Sequence, residues 1–469
     1  MRLCPYVNGV GAEGCPANIE LFNEGRRGQT PTDPIPETEI QENPFLEHAL
    51  SPGNAISPQV PTLAFEQADE IALYTYYVNR IAGELQAQDG FHNPYRKLSV
   101  LSLSFPVLLK TICSCAAEHL QALGRCPAAL AVDLQDRAIH AIRSELARWR
   151  VDRAPSSGSV ILDLGINADE ALLAAVLLQP GVIAFSGSSP ISVQTHLEIA
   201  FYILNDLGYV SNPDVINSFL PKFFLQRFAI VDLGICVWHR RRPRLPLDTW
   251  FVKTADLETT PQNSFDDIQP SFYEMTGCPH TVFTFLHRVM HLAADMADTT
   301  RPSAGIYQDA ITLETEIRLY DLRLCKPAED SMWRISQSFV HVCLLLLFRR
   351  VFMESSCSPR VQNSVRTIFS LLEAVPITST ENCTELGTVQ SGVDSATGLP
   401  FYLAAREAVS GGDQDWVRKK HHQWRKVYPN LARVQLMGVA EELWLERMKE
   451  DWSEKTCEDL EVACDAYLF

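Results

Sequence analysis

His287, His291 and Asp295, in the run HRVMHLAAD, stand four residues apart, the spacing that brings three metal-ligating side chains onto one face of a helix. Zinc chemistry is what such a set would support. A hydrolytic zinc helix, however, carries a glutamate general base directly after its first histidine, and Arg288 occupies that position. Val282, Leu286, Val289, Ala293 and Met296 form an apolar stripe along the same segment, so the helix is expected to serve first as a core element. Cys113 and Cys115, two apart, would point to different sides of a helix and do not suit one ion. The segment AFSGSSP at 184–190 lacks the G-x-S-x-G pattern of a nucleophilic serine turn, and neither glycine-rich phosphate signature occurs. No reaction and no cofactor follow from these residues. An intracellular metabolite-binding helical protein, or a metal-dependent enzyme built on His287 and His291, stands as the alternative reading.

Two segments concentrate positive charge in a chain whose formal net charge is -17, a balance that repels phosphate backbones and confines any nucleic-acid contact to a local patch or a separate module. In RKKHHQWRK, residues 418–426, the neighbours Val417, Trp424, Val427 and Tyr428 keep helical spacing, which predicts a buried apolar face with Arg418, Lys419, Arg425 and Lys426 outside. That run reads as the solvated side of a helix. WHRRRPRLP, residues 238–246, is punctuated by prolines, which predicts an exposed loop presenting Arg240, Arg241, Arg242 and Arg244 as a nuclear-import segment.

The elements that must position these groups are helical. Hydrophobic residues make up 46% and charged residues 21%, an ordinary globular composition. Thirteen cysteines without tight pairwise spacing predict reduced intracellular thiols, and the longest apolar run, FVHVCLLLLF at 339–348, is too short for a bilayer, so no membrane contact is expected and the sequon at Asn382 is expected to be unused. Residues 1–64 hold nine of the 28 prolines and no sustained apolar period, as a disordered acidic linker would.

From Phe65, Ile71, Tyr74, Val78, Ile81 and Leu85 predict a helix, GFHNPYRK breaks the period, and a second helix opens near Pro106 with Leu108, Ile112, Cys115 and His119 on one side. Further helices are expected over 133–150, 168–179, 191–207, 214–230, 281–298, 306–324, 331–353, 359–375, 399–410, 414–428 and 431–450. SVILDLGI at 159–166 alone has strand-like alternation, and two irregular stretches fall at 239–280 and 377–397. The fold class that follows is all-α, a large multi-helix array of packed antiparallel helix pairs.

The order of LYTYYVNRIAGEL, NPYRKLSVLSLSFPVLLKTICSCAAEHLQAL, ALLAAVLLQ, HLEIAFYIL, FLPKFFLQRFAIVDLGI and MTGCPHTVFTFLHRVMHLA resembles the fungal-specific regulatory domain of zinc-cluster transcription factors, in its acriflavine-sensitivity or ARCA-like branch. The most specific likeness is GLPFYLAAREA, similar to the family's Pro-Leu-Phe-x-Ala-Gly-x-Glu-Ala box. It supplies Leu399, Pro400, Phe401, Ala404, Glu407 and Ala408, followed by a basic helix, Asn430 and a last helix containing Trp444. Ala405 stands where the family usually has glycine.

The resemblance implies a nuclear, non-enzymatic, all-α regulator over residues 65–450 with protein partners or a homodimer, and a small hydrophobic ligand. The family's zinc cluster needs six cysteines beginning C-x2-C-x6-C, whereas only Cys4 and Cys15 precede residue 100, so DNA is expected to be reached indirectly and zinc only if the coding sequence extends upstream. The end of the chain, residues 451–469, mixes six acidic residues with Trp452, Leu460, Val462, Tyr467, Leu468 and Phe469, as either an activation segment or an amphipathic helix docked on the domain would.

Overall fold

Local capping chemistry sets several helix boundaries. Asn93, followed by Pro94, opens α2 by accepting hydrogen bonds from the backbone N–H groups of Tyr95 at 2.8 Å and Arg96 at 3.3 Å. Asn167 and Glu170 form a reciprocal capping box at the start of α5, with bonds of 2.8 and 2.9 Å. Gly187 ends that helix at φ 66°, where a Cβ would lie 2.8 Å from Leu431, so only glycine suits both the backbone and the space.

The computed structural model describes residues 68–89, 93–151, 167–187, 191–212, 219–250, 272–298, 303–320, 331–377, 396–427 and 430–449. In chain order the helices of nine or more residues are α1 (Ala68–Tyr76), α2 (Pro94–Ser102), α3 (Pro106–Ala122), α4 (Ala128–Val151), α5 (Ala168–Ser186), α6 (Ile191–Asp206), α7 (Phe219–His239), α8 (His280–Asp298), α9 (Ala304–Leu319), α10 (Ser331–Arg350), α11 (Pro359–Glu373), α12 (Gly398–Arg406), α13 (Gly411–Val427) and α14 (Leu431–Arg447). Every regular element among the described residues is helical, and the fold is all-α. The 1–64 linker, the strand-like 159–166 segment, Asn382, Tyr428 and the acidic 451–469 segment lie outside the described residues.

α3 and α5 form the first centre of packing, flanked by α1, α4 and α6, while α10 and α11 form the second, flanked by α8, α9 and α12. α14 links the two by packing on both α5 and α12. α5 and α10 are long and apolar enough to pass for membrane spans by length and composition, but most of each is buried inside the fold. A helix apolar on all sides is what the middle of a large helical domain requires.

Three departures from the sequence reading are local. The expected face of the first helix holds at Tyr74 and Ile81, which are buried, but Ile71 is 39% exposed, and Tyr77, outside that face, is fully buried where a π-helical turn, Tyr77–Ile81, begins. The expected break after residue 90 contains α2, whose Asn-Pro start is a helix signal rather than a stop. The helix expected to stop at residue 179 runs through Pro180 to Ser186, since complete burial of Leu172–Phe185 outweighs the one backbone bond that proline removes.

Candidate functional site

On α8, His287 is buried and its Nε2–H donates to the carbonyl oxygen of Leu245 at 3.0 Å. Burial holds its imidazole down at about 4 against that bond, and it lowers His291 as well, the guanidinium of Arg242 adding to the effect. The two rings lie 4.5 Å apart, but the carboxylate of Asp295, the third member of the supposed set, accepts from Arg242 at 2.6 Å. These groups fasten the segment after α7 to α8. Among the described residues no three histidine, cysteine or carboxylate groups converge on a metal position. Cys113 and Cys115 are both buried, and the Cys113 thiol points at the Glu70 carbonyl, 3.7 Å away.

That fastened segment is the basic run 238–246, expected to be uniformly accessible. Arg241 and Arg242 are exposed, whereas Arg240 and Arg244 are half-buried, which corrects the expectation of four free side chains. For Arg244 the cause is the buried carboxylate of Asp232, raised to about 6 by burial even though the backbone N–H of Arg244 donates to it at 2.7 Å. The side chain of Arg244 adds contacts to Asp232 at 3.7 Å and Glu198 at 3.5 Å. The backbone of Arg240 is left-handed, at φ 54°, and the N–H of Arg241 reaches back to the carbonyl of Cys236 at 3.3 Å, the arrangement in which a helix end normally uses glycine.

Arg240 borders a polar centre built on the GLPFYLAAREA box. All nine residues of α12 are buried. Ala405, at the family's glycine position, is fully buried, and its carbonyl accepts from the Trp444 indole N–H of α14 at 2.9 Å, so the methyl group is accommodated without losing the close helix contact. Leu399, Pro400, Phe401, Ala404 and Ala408 are buried with it. Glu407, next after α12, takes Nε of Arg349 at 3.0 Å, a guanidinium nitrogen of Arg447 at 3.3 Å and the Ser356 hydroxyl at 2.6 Å on one carboxylate oxygen. Arg447 also donates to the Arg406 carbonyl, and the Arg406 guanidinium stacks 5.0 Å from the Trp238 ring.

Beside this network lies a partly enclosed cavity lined by Arg240, Leu345, Leu346, Arg349, Arg350, Leu403, Arg406 and Glu407. Four arginines and one glutamate thus line a space of about 10 Å³, room for about one water molecule. Sequence reading had placed Glu407 in a structural motif and missed Arg349, Arg350, Arg406 and Arg447. Arg349 and Arg350 close the apolar helix α10, where cations ordinarily complement the helix dipole, and nothing local shows that they turn inward.

The second basic run behaves as expected. Arg418, Lys419, Arg425 and Lys426 are exposed on α13, while Val417 and Trp424 are buried. Lys420 departs from its neighbours by being buried, 3.6 Å from Glu373.

The model of the fungal-specific transcription factor domain matches residues 72–464. The chain belongs to that family. It is a fungal transcriptional regulator by that membership, and the arginine-rich centre lies within the matched residues. Neither the curated proteins nor the solved structures contain a match.

Proposed function

We propose that this domain works in the nucleus as the regulatory and protein-interaction part of a transcription factor, in the ARCA-like branch, reaching DNA through a partner or a second copy. Its regulatory input is a small ligand that biases the helical array. The observation that carries the reading is the family match over 72–464, which takes in the box whose Glu407, Arg406 and Ala405 tie α10, α12 and α14 together. A ligand or partner that alters this junction has three helices to move at once, which is how a local contact is amplified in a packed core. The segment 240–244 is the proposed import signal, with Arg241 and Arg242 as its exposed members.

The full chain fused to an unrelated DNA-binding domain should raise or lower a reporter in a fungal cell relative to that DNA-binding domain alone. Unchanged output in both directions would remove the regulator reading. The purified chain should give only weak, sequence-indifferent DNA retardation, as its net charge of -17 dictates. Motif-specific retardation at physiological salt by the chain alone would show direct reading instead.

A further inference from the structure

We infer that the outer face of α9 is the surface on which a second copy of this chain docks, the two helices lying antiparallel about a two-fold axis. The inference rests on the reading that DNA is reached through a partner or a second copy, and it supplies the place where that copy binds. Ala310, Leu313 and Ile317 bury the inner face of α9 against α8 and α10. On the opposite side Ala304, Gln308, Ile311, Thr312, Thr315 and Leu319 are all exposed and, at about 100° per residue, share an arc of about 100°. That arc carries no charge. Ile311 is 50% and Leu319 76% exposed, and the hydroxyls of Thr312 and Thr315 donate back to the carbonyl oxygens of Gln308 and Ile311, both at 2.9 Å, so each threonine has already satisfied its donor. The charged residues stand at the edges of the face, and most are engaged within the copy. Glu316 pairs with Arg288, Glu314 pairs with Arg360, and Nε of Arg318 donates to Glu314 at 2.8 Å while its guanidinium lies 5.7 Å from the buried Phe348 ring. An uncharged centre with a polar rim is the layout of a protein interface.

A second copy is selected because the face is complementary to itself. The helix spans 304–319, and a two-fold axis through its midpoint sets Ala304 against Leu319 of the other copy, Gln308 against Thr315, and Ile311 against Thr312 and Ile311. A small residue thus meets a large one, an amide meets a hydroxyl oxygen that can accept from it, and β-branched side chains meet at the axis. Asp309, which has no ion-pair partner among the described residues, comes to the flank held by Arg288 and Glu316 of the other copy. Two chains of net charge -17 repel one another, which disfavours contact through an acidic face and favours an uncharged one. One 16-residue helix, about 24 Å long, covers less than the ~1,200–2,000 Å² of a stable interface, so the expected dimer is weak and dissociates in the micromolar range.

The test is sedimentation of the purified full chain over a range of concentrations, in which a reversible equilibrium between monomer and dimer is expected. Ile311→Glu sets two carboxylates at the axis and should weaken the dimer by about tenfold or more, as Ile311→Lys should with two ammonium groups, and the melting temperature should hardly change because Ile311 is half exposed. An equimolar mixture of the two variants should associate again, since opposite charges then meet at the axis. Leu445→Glu, 61% exposed on α14 and away from this face, should leave the equilibrium as it is. A chain that stays monomeric at every concentration, a dimer that Ile311→Glu does not weaken, a mixture that fails to associate, or a dimer lost in Leu445→Glu overturns the inference. Because self-association is read on the isolated protein, a silent reporter in the tethering experiment leaves the interface standing, and a monomer leaves the regulator reading standing with a different protein as its route to DNA.

Discussion

The α3–α5 centre and the α10–α12–α14 centre are buried to the same degree but treat charge in opposite ways. In the first, His119 and Glu118 lose water and, with it, are pushed towards their neutral forms. Burial lowers the His119 imidazole to about 3 and raises the Glu118 carboxyl to about 7, and the Tyr76 hydroxyl lies 2.9 Å from the His119 ring. In the second, Arg349, Arg350, Arg406 and Arg447 cannot deprotonate, so the fold must compensate them through Glu407, backbone carbonyls and the Trp238 ring. The first region is explained by packing alone. The second carries desolvated charge that apolar residues of equal volume would avoid.

The sharpest way to break this comparison is to remove one element from the charged centre. Trp444 is 2% exposed and anchors α14 to the Ala405 carbonyl, so Trp444→Ala should cost about 3–5 kcal/mol. Trp424, fully buried and edge-on to Phe401 at 4.6 Å, should cost a similar ~3–5 kcal/mol when truncated to alanine. Glu407→Gln keeps the volume but takes the carboxylate from Arg349 and Arg447, and a loss of about 3 kcal/mol is expected. Urea unfolding of the three variants measures all of this. A Glu407→Gln effect below that of a surface change would mean that its charge is not compensating the arginines.

How the two regions read from sequence differs for the same physical reason. α3 and α8 were legible because the apolar residues that pack them, such as Leu108 and Ile112 or Val282 and Leu286, repeat within a single helix. Pro180 and the Asn93–Pro94 start depart from the simple period where complete burial or a cap overrides it. The box was legible through its family resemblance, but the charged centre was not. Arg240, Arg350, Arg406 and Arg447 come from four helices or their ends, and their convergence exists only once α10, α12 and α14 have packed. The same holds for His287 and His291, whose spacing suggested an ion but whose partners, the Leu245 carbonyl and the Asp295–Arg242 pair, lie on the segment after α7 or are engaged by it.

In the apolar centre the expected effect is smaller and has the opposite sign. Gln179 is fully buried on α5, and neither its amide oxygen nor its nitrogen has a hydrogen-bond partner among the described residues. Gln179→Leu should therefore stabilise the chain, by about 1–2 kcal/mol, as an unsatisfied buried amide is removed. A destabilisation of similar size would reveal a bound water that the amide needs, and would place a polar feature where the comparison has none.

The pH dependence separates groups that burial neutralises from groups that stay charged. Burial lowers the folded-state values of His119 to about 3 and of His196, His287, His341 and His421 to about 4, from 6.5. Between those values and 6.5 the unfolded chain binds more protons, so the stability these imidazoles contribute is full above 6.5 and is lost as pH falls towards 4. Glu118, raised to about 7, and Asp232, raised to about 6, act the other way, binding protons more readily when folded. With six lowered histidines, His291 included, against two raised carboxyls, the melting temperature should fall on going from pH 7 to pH 5. A flat or rising profile would show that the raised carboxyls dominate.

The smallest effect is expected outside both centres, in the basic run on α13, and it tests whether charge density alone means anything there. Lys419 and Lys420 are adjacent, but Lys419 is exposed whereas the Lys420 side chain is 6% exposed, 3.6 Å from Glu373 and 5.7 Å from the centre of the Trp424 ring. Lys419→Ala should change stability by less than about 0.5 kcal/mol, since a solvated ammonium gives up little and alanine is the better helix former. Lys420→Ala should cost about 1 kcal/mol, because the covered methylene stem and the contact with the indole face are lost together. Neither change should alter the weak DNA retardation of the purified chain. Equal stability effects would mean that α13 does not lay one face on Phe401 and the other in water, and a drop in DNA binding for Lys419→Ala would turn the run from a solvated surface into a nucleic-acid contact.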